Sequence, residues 1–198
     1  MKEFYVINAA EVHGVPLFFD VEWAPQLPEF NQVLENPNSD IFGSSYHAKI
    51  DLDEFYGDAF FEQYIVSSDF VSLCELYSCK YFSVPLTVEL RKGVGASKAY
   101  NLFIVQGRRS ILDLDKSKFI LMDEGLLRPV GERQGMSAAY DRIEKFVIRG
   151  GVDEDLFYCE ELKQIVCSSE FRRGYLDRNL IGLEFKKIDG DFIYAPWG

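Results

Sequence analysis

Cysteine and histidine are scarce in this chain, long apolar runs are missing, and cationic residues are outnumbered. Four Cys in 198 residues are too few for a disulfide framework, so a reducing compartment is the natural expectation. The two histidines, His13 and His47, sit in loop-like sequence, and neither has a spacing such as His-x3-His that recruits a metal or a base. No apolar stretch approaches the roughly 20 residues needed to cross a bilayer. The run Phe4-Tyr5-Val6-Ile7 follows a single Lys and an early Glu and is too short for a signal peptide. These absences together predict a cytoplasmic protein.

The cation deficit is large: 21 Lys+Arg against 32 Asp+Glu gives a net charge of −11. Phosphate backbones and anionic membranes repel such a chain, so neither nucleic acid nor membrane is the expected partner. A basic protein is, although acidity also serves plain solubility. What the chain does have is core material. Its hydrophobic fraction is 47%, with 17 Phe and 11 Tyr, enough for one large domain to bury a substantial core.

Along the chain, residues 4–7 and 17–21 are short aromatic and β-branched runs on either side of His13-Gly14, which predicts a hairpin or meander. Ala24-Pro25-Gln26-Leu27-Pro28 and Asn36-Pro37-Asn38-Ser39-Asp40 break regular structure. The clearest periodicity spans residues 67–81. Ser67 or Ser68 can cap a helix, Asp69 suits its first turn, and Phe70, Leu73, Cys74 and Tyr77 form one apolar face. Val84, Leu86, Val88 and Leu90 then alternate with polar residues as a half-buried strand does, with Pro85 at its first position. A turn over residues 91–98 leads to a returning strand over 100–105. Residues 119–122 read as a short buried strand and 125–137 as a loop. Residues 138–148 suit either helix or strand, with a strand near 144–148 preferred. Val66-Ser67-Ser68-Asp69-Phe70 is echoed by Cys167-Ser168-Ser169-Glu170-Phe171, each before a helix and then a strand, the later strand at 183–188. Two capped helix starts explain the echo as well as a duplication does.

Few fragments suggest chemistry. Gly93-Val94-Gly95-Ala96-Ser97-Lys98 lacks the spacing of a phosphate-binding loop and precedes a strand, so it reads as a hairpin turn. Asp113 and Asp115, in Ile111-Leu112-Asp113-Leu114-Asp115-Lys116-Ser117, resemble the nucleophile loop of haloacid-dehalogenase-like phosphatases. That resemblance implies a small magnesium-dependent phosphatase with Asp113 as nucleophile and Asp115 as acid/base. The repeated β-α-β pattern and a downstream acidic pair are missing, so the competing reading is a solvated turn. Cys74 and Cys79 are spaced too widely for a zinc knuckle. No metal or cofactor is therefore expected. Two acidic segments, Asp51/Asp53/Glu54/Asp58 and Asp153/Glu154/Asp155 with Glu160/Glu161, are solvated faces or surfaces that steer a basic partner. Tyr46, Phe55 and Tyr56 beside the first are candidate aromatic anchors for such a partner.

One resemblance covers residues 60–188 and is carried by order and spacing. Ile65-Val66-Ser67-Ser68-Asp69-Phe70, the strand at 84–90 and Tyr100-Asn101-Leu102-Phe103 come first. Leu112-Asp113-Leu114-Asp115-Lys116-Ser117-Lys118-Phe119, Leu156-Phe157 and Ile165-Val166-Cys167-Ser168-Ser169-Glu170-Phe171 follow, and Gly182-Leu183-Glu184-Phe185 closes the series. This arrangement resembles the immunity proteins of bacterial polymorphic toxin systems, the group whose C-terminal half ends in Val-Ser-x-x-Phe … Gly-x-x-Phe. Cys167 and the doubled Ser168-Ser169 depart from that pattern. The resemblance implies a cytoplasmic antidote that binds a cognate toxin domain, with no catalytic residue of its own. The expected fold is a single α+β domain over residues 1–198, mostly antiparallel with a few flanking helices, in which residues 1–60 are the less diagnostic part.

Overall fold

The computed structural model describes residues 2–12, 15–123, 127 and 138–197. Strand β1 (Phe4–Ala9) is followed by β2 (Glu22–Ala24), β3 (Tyr46–Lys49), β4 (Ala59–Phe60), β5 (Ile65–Ser67) and helix α1 (Ser68–Leu76). The middle of the chain supplies β6 (Tyr81–Leu90), β7 (Val94–Gly95), β8 (Tyr100–Val105), β9 (Arg108–Arg109), β10 (Lys118–Leu121) and β11 (Tyr140–Lys145). The last elements are β12 (Leu156–Cys159), β13 (Gln164–Ser168), α2 (Ser169–Asp177) and β14 (Leu183–Lys187). One sheet has the order β2-β3-β6-β8-β5-β4, with β7 on β6; a second has the order β14-β1-β13-β12-β9; β10 and β11 form a separate ribbon. Pairing is antiparallel except between β3 and β6 and between β12 and β9. The chain is thus a single α+β domain with mostly antiparallel sheets.

Several elements sit where their sequence placed them. Ser67 caps α1 by accepting from the Phe70 N–H, and Phe70, Leu73 and Cys74 are its buried face. Strand β8 spans the expected residues, and the 91–98 segment holds the turn at 91–93 and the short strand β7 that pairs back on β6. Other expectations fail for identifiable reasons. Residues 17–21 form no strand; β1 pairs instead with β13 and β14, from the far end of the chain. The expected turn residues His13 and Gly14 lie outside the described residues, as does most of the 125–137 loop. Pro85 sits inside β6, where pairing with β3 begins only at Leu86, so no β3 partner is needed at the proline. Residues 138–148 resolve as strand β11, which ends at Lys145. Strand β10 is exposed at Ile120 and Leu121, so it is not the buried strand its composition suggests.

The echo proves to be a structural repeat. In each copy a short hairpin closes through four residues, between Phe60 and Ile65 in one and between Cys159 and Gln164 in the other. Each turn ends on a left-handed residue, Tyr64 or Lys163. Each second hairpin strand ends on a capping serine, Ser67 or Ser168, that accepts from the N–H of Phe70 or Phe171. The serines' own N–H groups donate to Asp58 and Asp155, which immediately precede the two hairpins. Opposite the serines lie Tyr100 of β8 and Phe4 of β1. The central strand of the first copy, β8, follows β6 in the chain. Its counterpart β1 comes from the N-terminus, so the second copy is closed by the opposite end of the chain.

The two helices pack on each other in one core layer. Phe70 and Phe171 lie with ring centroids 5.9 Å apart, and Tyr77 Oη donates to the Glu170 carbonyl at 2.9 Å. Gly174 permits this approach, because a Cβ there would stand 2.8 Å from Tyr77 Oη. The equivalence of the two caps is testable. Ser67→Ala and Ser168→Ala should each lower the unfolding free energy by about 1 kcal/mol, read from urea midpoints. A loss at one site alone would contradict the equivalence.

Candidate functional site

The acidic segments occupy corresponding positions in the two copies, each leading into its hairpin. In the first, Asp51 and Asp53 both engage Arg91, at 2.8 and 2.9 Å, while Glu54 and Tyr56 are exposed. The Arg91 hydrogen bond holds the Asp51 carboxyl below its ordinary range. Three expected contact residues lie inside the protein. Tyr46 and Phe55 belong to the core around β3, β6 and β8, where Phe55 stacks on Phe60 with centroids 4.5 Å apart. Their aromatic area is buried by the sheet, so neither is an anchor for a partner. Asp58 is 1% exposed; it pairs with Lys98 at 2.7 Å and accepts from the Ile181 N–H at 2.9 Å. It is a seam pin between the copies rather than part of a charged face.

In the second segment, Asp153 is exposed, Glu154 pairs with Arg109, and Asp155 pairs with Lys2 at 2.8 Å. Asp155 also accepts from Ser168 Oγ, which ties it to the cap of α2. The outward acids are thus Asp51, Asp53, Glu54 and Asp153, with Tyr56 the remaining exposed aromatic from the expected set. Among the described acidic residues only Asp58 and Glu161 are buried, and no Lys or Arg is. Folding therefore leaves nearly all of the excess negative charge on the exterior.

Asp113 accepts from the Lys116 N–H at 3.3 Å and pairs with its ammonium at 2.8 Å. The lysine hydrogen bond holds the Asp113 carboxyl below its ordinary range, and Asp115 next to it is exposed. The segment is a surface turn joined to the rest of the fold through Leu112 and Ile148. His47 lies 3.2 Å from Glu89 on neighbouring strands. Cys74, Cys159 and Cys167 are buried free thiols, and burial raises the pKa of each, which suits small hydrophobes. Among the described residues no group of three or more His, Cys, Asp or Glu is placed to hold a metal ion.

Two features depart from the sequence reading: Glu161, expected on a solvated acidic face with Asp153, Glu154, Asp155 and Glu160, is buried instead, and a cavity has no local signal. Glu161, 3% exposed, accepts from the Ile111 and Leu112 N–H groups at 3.1 and 3.2 Å, from Ser110 Oγ and from Cys159 Sγ. It binds the 110–112 segment to the β12–β13 turn. The second is a cavity of about 530 Å³ where the two hairpin turns meet β1 and the 30–33 segment. Tyr158 lines it, and burial pushes the phenol's pKa up to about 12. Both depend on residues far apart in the chain, which no local pattern encodes.

Among the described residues no helix is long and apolar enough to cross a membrane. Set against protein-family models and curated proteins, the chain matches none.

Proposed function

We propose that this protein is an immunity, antitoxin-like protein that binds and neutralises a cognate toxin domain through protein–protein contact. The observation that carries the reading is the acidic exterior: a net charge of −11 of which only two described acids are withdrawn into the core. Such a surface attracts a basic partner and accelerates the encounter. The order of motifs along residues 60–188 supports the same reading and favours a toxin over another basic protein. A magnesium-dependent phosphatase at Asp113 and Asp115 draws less support, because Asp113 is already engaged by Lys116 on a surface turn. Cytoplasmic residence belongs to this proposal and follows from the few cysteines, all of them free thiols.

The test is capture of the C-terminal toxin domain encoded by the neighbouring upstream gene, with rescue of cells that express it. The quadruple variant Asp51→Asn/Asp53→Asn/Glu54→Gln/Asp153→Asn should slow association about tenfold at low salt and flatten its salt dependence. Failure of the folded wild-type protein to capture that domain would sink the toxin reading. Unchanged association in the variant would move the contact away from these two loops.

A further inference from the structure

The two copies differ at the outer edge of one strand. In the first copy β6 follows α1, pairs antiparallel with the central strand β8, and carries β3 on its other side. In the second copy β14 follows α2 and pairs antiparallel with the central strand β1, but among the described residues no strand pairs with its other side. The position that β3 fills in one copy is therefore vacant in the other. The Ile188 N–H donates to the Phe4 carbonyl and the Ala10 N–H to the Gly182 carbonyl, both at 2.9 Å. Alternation along an antiparallel ladder then turns Glu184 and Lys186 towards β1 and the N–H and C=O groups of Leu183, Phe185 and Lys187 towards the vacant side. Helix α2 lies mainly over β13 and β1, inward of that edge.

The sequence of β14, Leu183-Glu184-Phe185-Lys186-Lys187, is self-complementary along this edge. When two copies pair antiparallel about Phe185, Phe185 faces its own symmetry mate, Leu183 faces Lys187, and Glu184 faces Lys186 on both sides of the two-fold axis. That register sets the outward backbone groups of the two strands opposite each other, as a ladder requires. A shift by two residues puts Glu184 opposite Glu184 or Lys186 opposite Lys186, and like charges directly opposite destabilise. A shift by one sets outward groups against inward ones. Glu184 and Lys186 are exposed, and among the described residues neither has an ion-pair partner; Lys186 lies over the Phe192 ring at 5.2 Å. Both point away from α2, because Phe185 between them meets Tyr175 and Arg172 of that helix. On the α2 side, Leu176 follows Arg172 by one turn and is 46% exposed, which adds apolar surface beside Phe185.

We propose that the open edge of β14 is a homodimer interface, on which a second copy of this chain adds its own β14 antiparallel about Phe185, with two Glu184–Lys186 pairs fixing the register. The proposal is independent of the toxin reading and is tested on the full chain alone. Two chains of net charge −11 repel at long range, so the measurement uses about 0.15 M salt, where the screening length is about 8 Å. A strand pair of five residues is a small contact, and sedimentation equilibrium should return a monomer–dimer equilibrium in the micromolar range. Glu184→Lys and Lys186→Glu should each weaken it about tenfold, because two attractive cross-strand pairs become repulsive. Mixing the two variants should restore association as a heterodimer, and the double exchange Glu184→Lys/Lys186→Glu should restore it within one chain. Both side chains are exposed, so none of these variants should unfold the protein. Hydrogen exchange locates the contact: the Phe185 and Lys187 amides should slow as protein concentration rises, while those of Glu184 and Lys186, already bonded to β1, should not change. A chain that stays monomeric at millimolar concentration overturns the proposal. So does a dimer indifferent to both charge reversals. Protection of the two amides only when the toxin domain is added would also overturn it and give the edge to that partner.

Discussion

Glu161→Ala is expected to lower the unfolding free energy by about 4 kcal/mol, the sum of two or three buried donors left unpartnered at 1–3 kcal/mol each. The buried carboxylate serves two buried backbone N–H groups, a serine hydroxyl and a buried thiol. Ile111 and Leu112, whose N–H groups it holds, belong to the core cluster that also contains Phe4, Phe157 and Val166. The loss therefore loosens a hydrophobic layer as well as a polar one. Glu161→Gln keeps one acceptor oxygen but turns an amide towards donors, so about half the effect is expected. Urea unfolding at constant m-value reads both variants. A loss below about 1 kcal/mol for the alanine variant would show that the segment finds other acceptors.

Phe171→Ala should cost about 3–5 kcal/mol, the usual range for removing a fully buried phenylalanine. Phe171 is 0% exposed, and its ring meets Phe70 at 5.9 Å and Tyr77 at 5.6 Å, where α1 and α2 join. Against a total stability of roughly 5–15 kcal/mol, this change brings the protein close to unfolding at physiological temperature. The partner variant Phe70→Ala tests whether the helices act as one layer. A double-mutant cycle should return a coupling of about 0.5–1.5 kcal/mol for the ring pair. Additive losses would mean that each helix is held by its own sheet alone. Such a result would leave the repeat intact but remove its shared core.

The local elements were legible because their signals are local. A serine before an acid and an apolar i, i+3, i+4 set needs only the helix's own backbone, so α1 and α2 start where Ser67 and Ser168 stand. Alternation made β6 and β8 readable for the same reason. The 17–21 run failed because its aromatics fill space beside another sheet; Phe19 packs edge-on against Phe55 and Phe60. Apolar content marks burial, and only pairing partners make a strand. Of the candidate contact residues, the acids mostly remained outside, while Tyr46, Phe55 and Asp58 were drawn into the core by neighbours distant in sequence.

Composition and local order determined the acidic balance, the α+β class and the elements with a capping or alternating pattern, since charge and periodicity are carried by neighbouring residues. Only the tertiary structure decided that the serine echo is a repeat closed by β1. It also decided that Glu161 is buried and that a cavity opens beside Tyr158. Each of these rests on contacts between segments far apart in the chain, and the energy of such contacts depends on which surfaces the whole fold brings together.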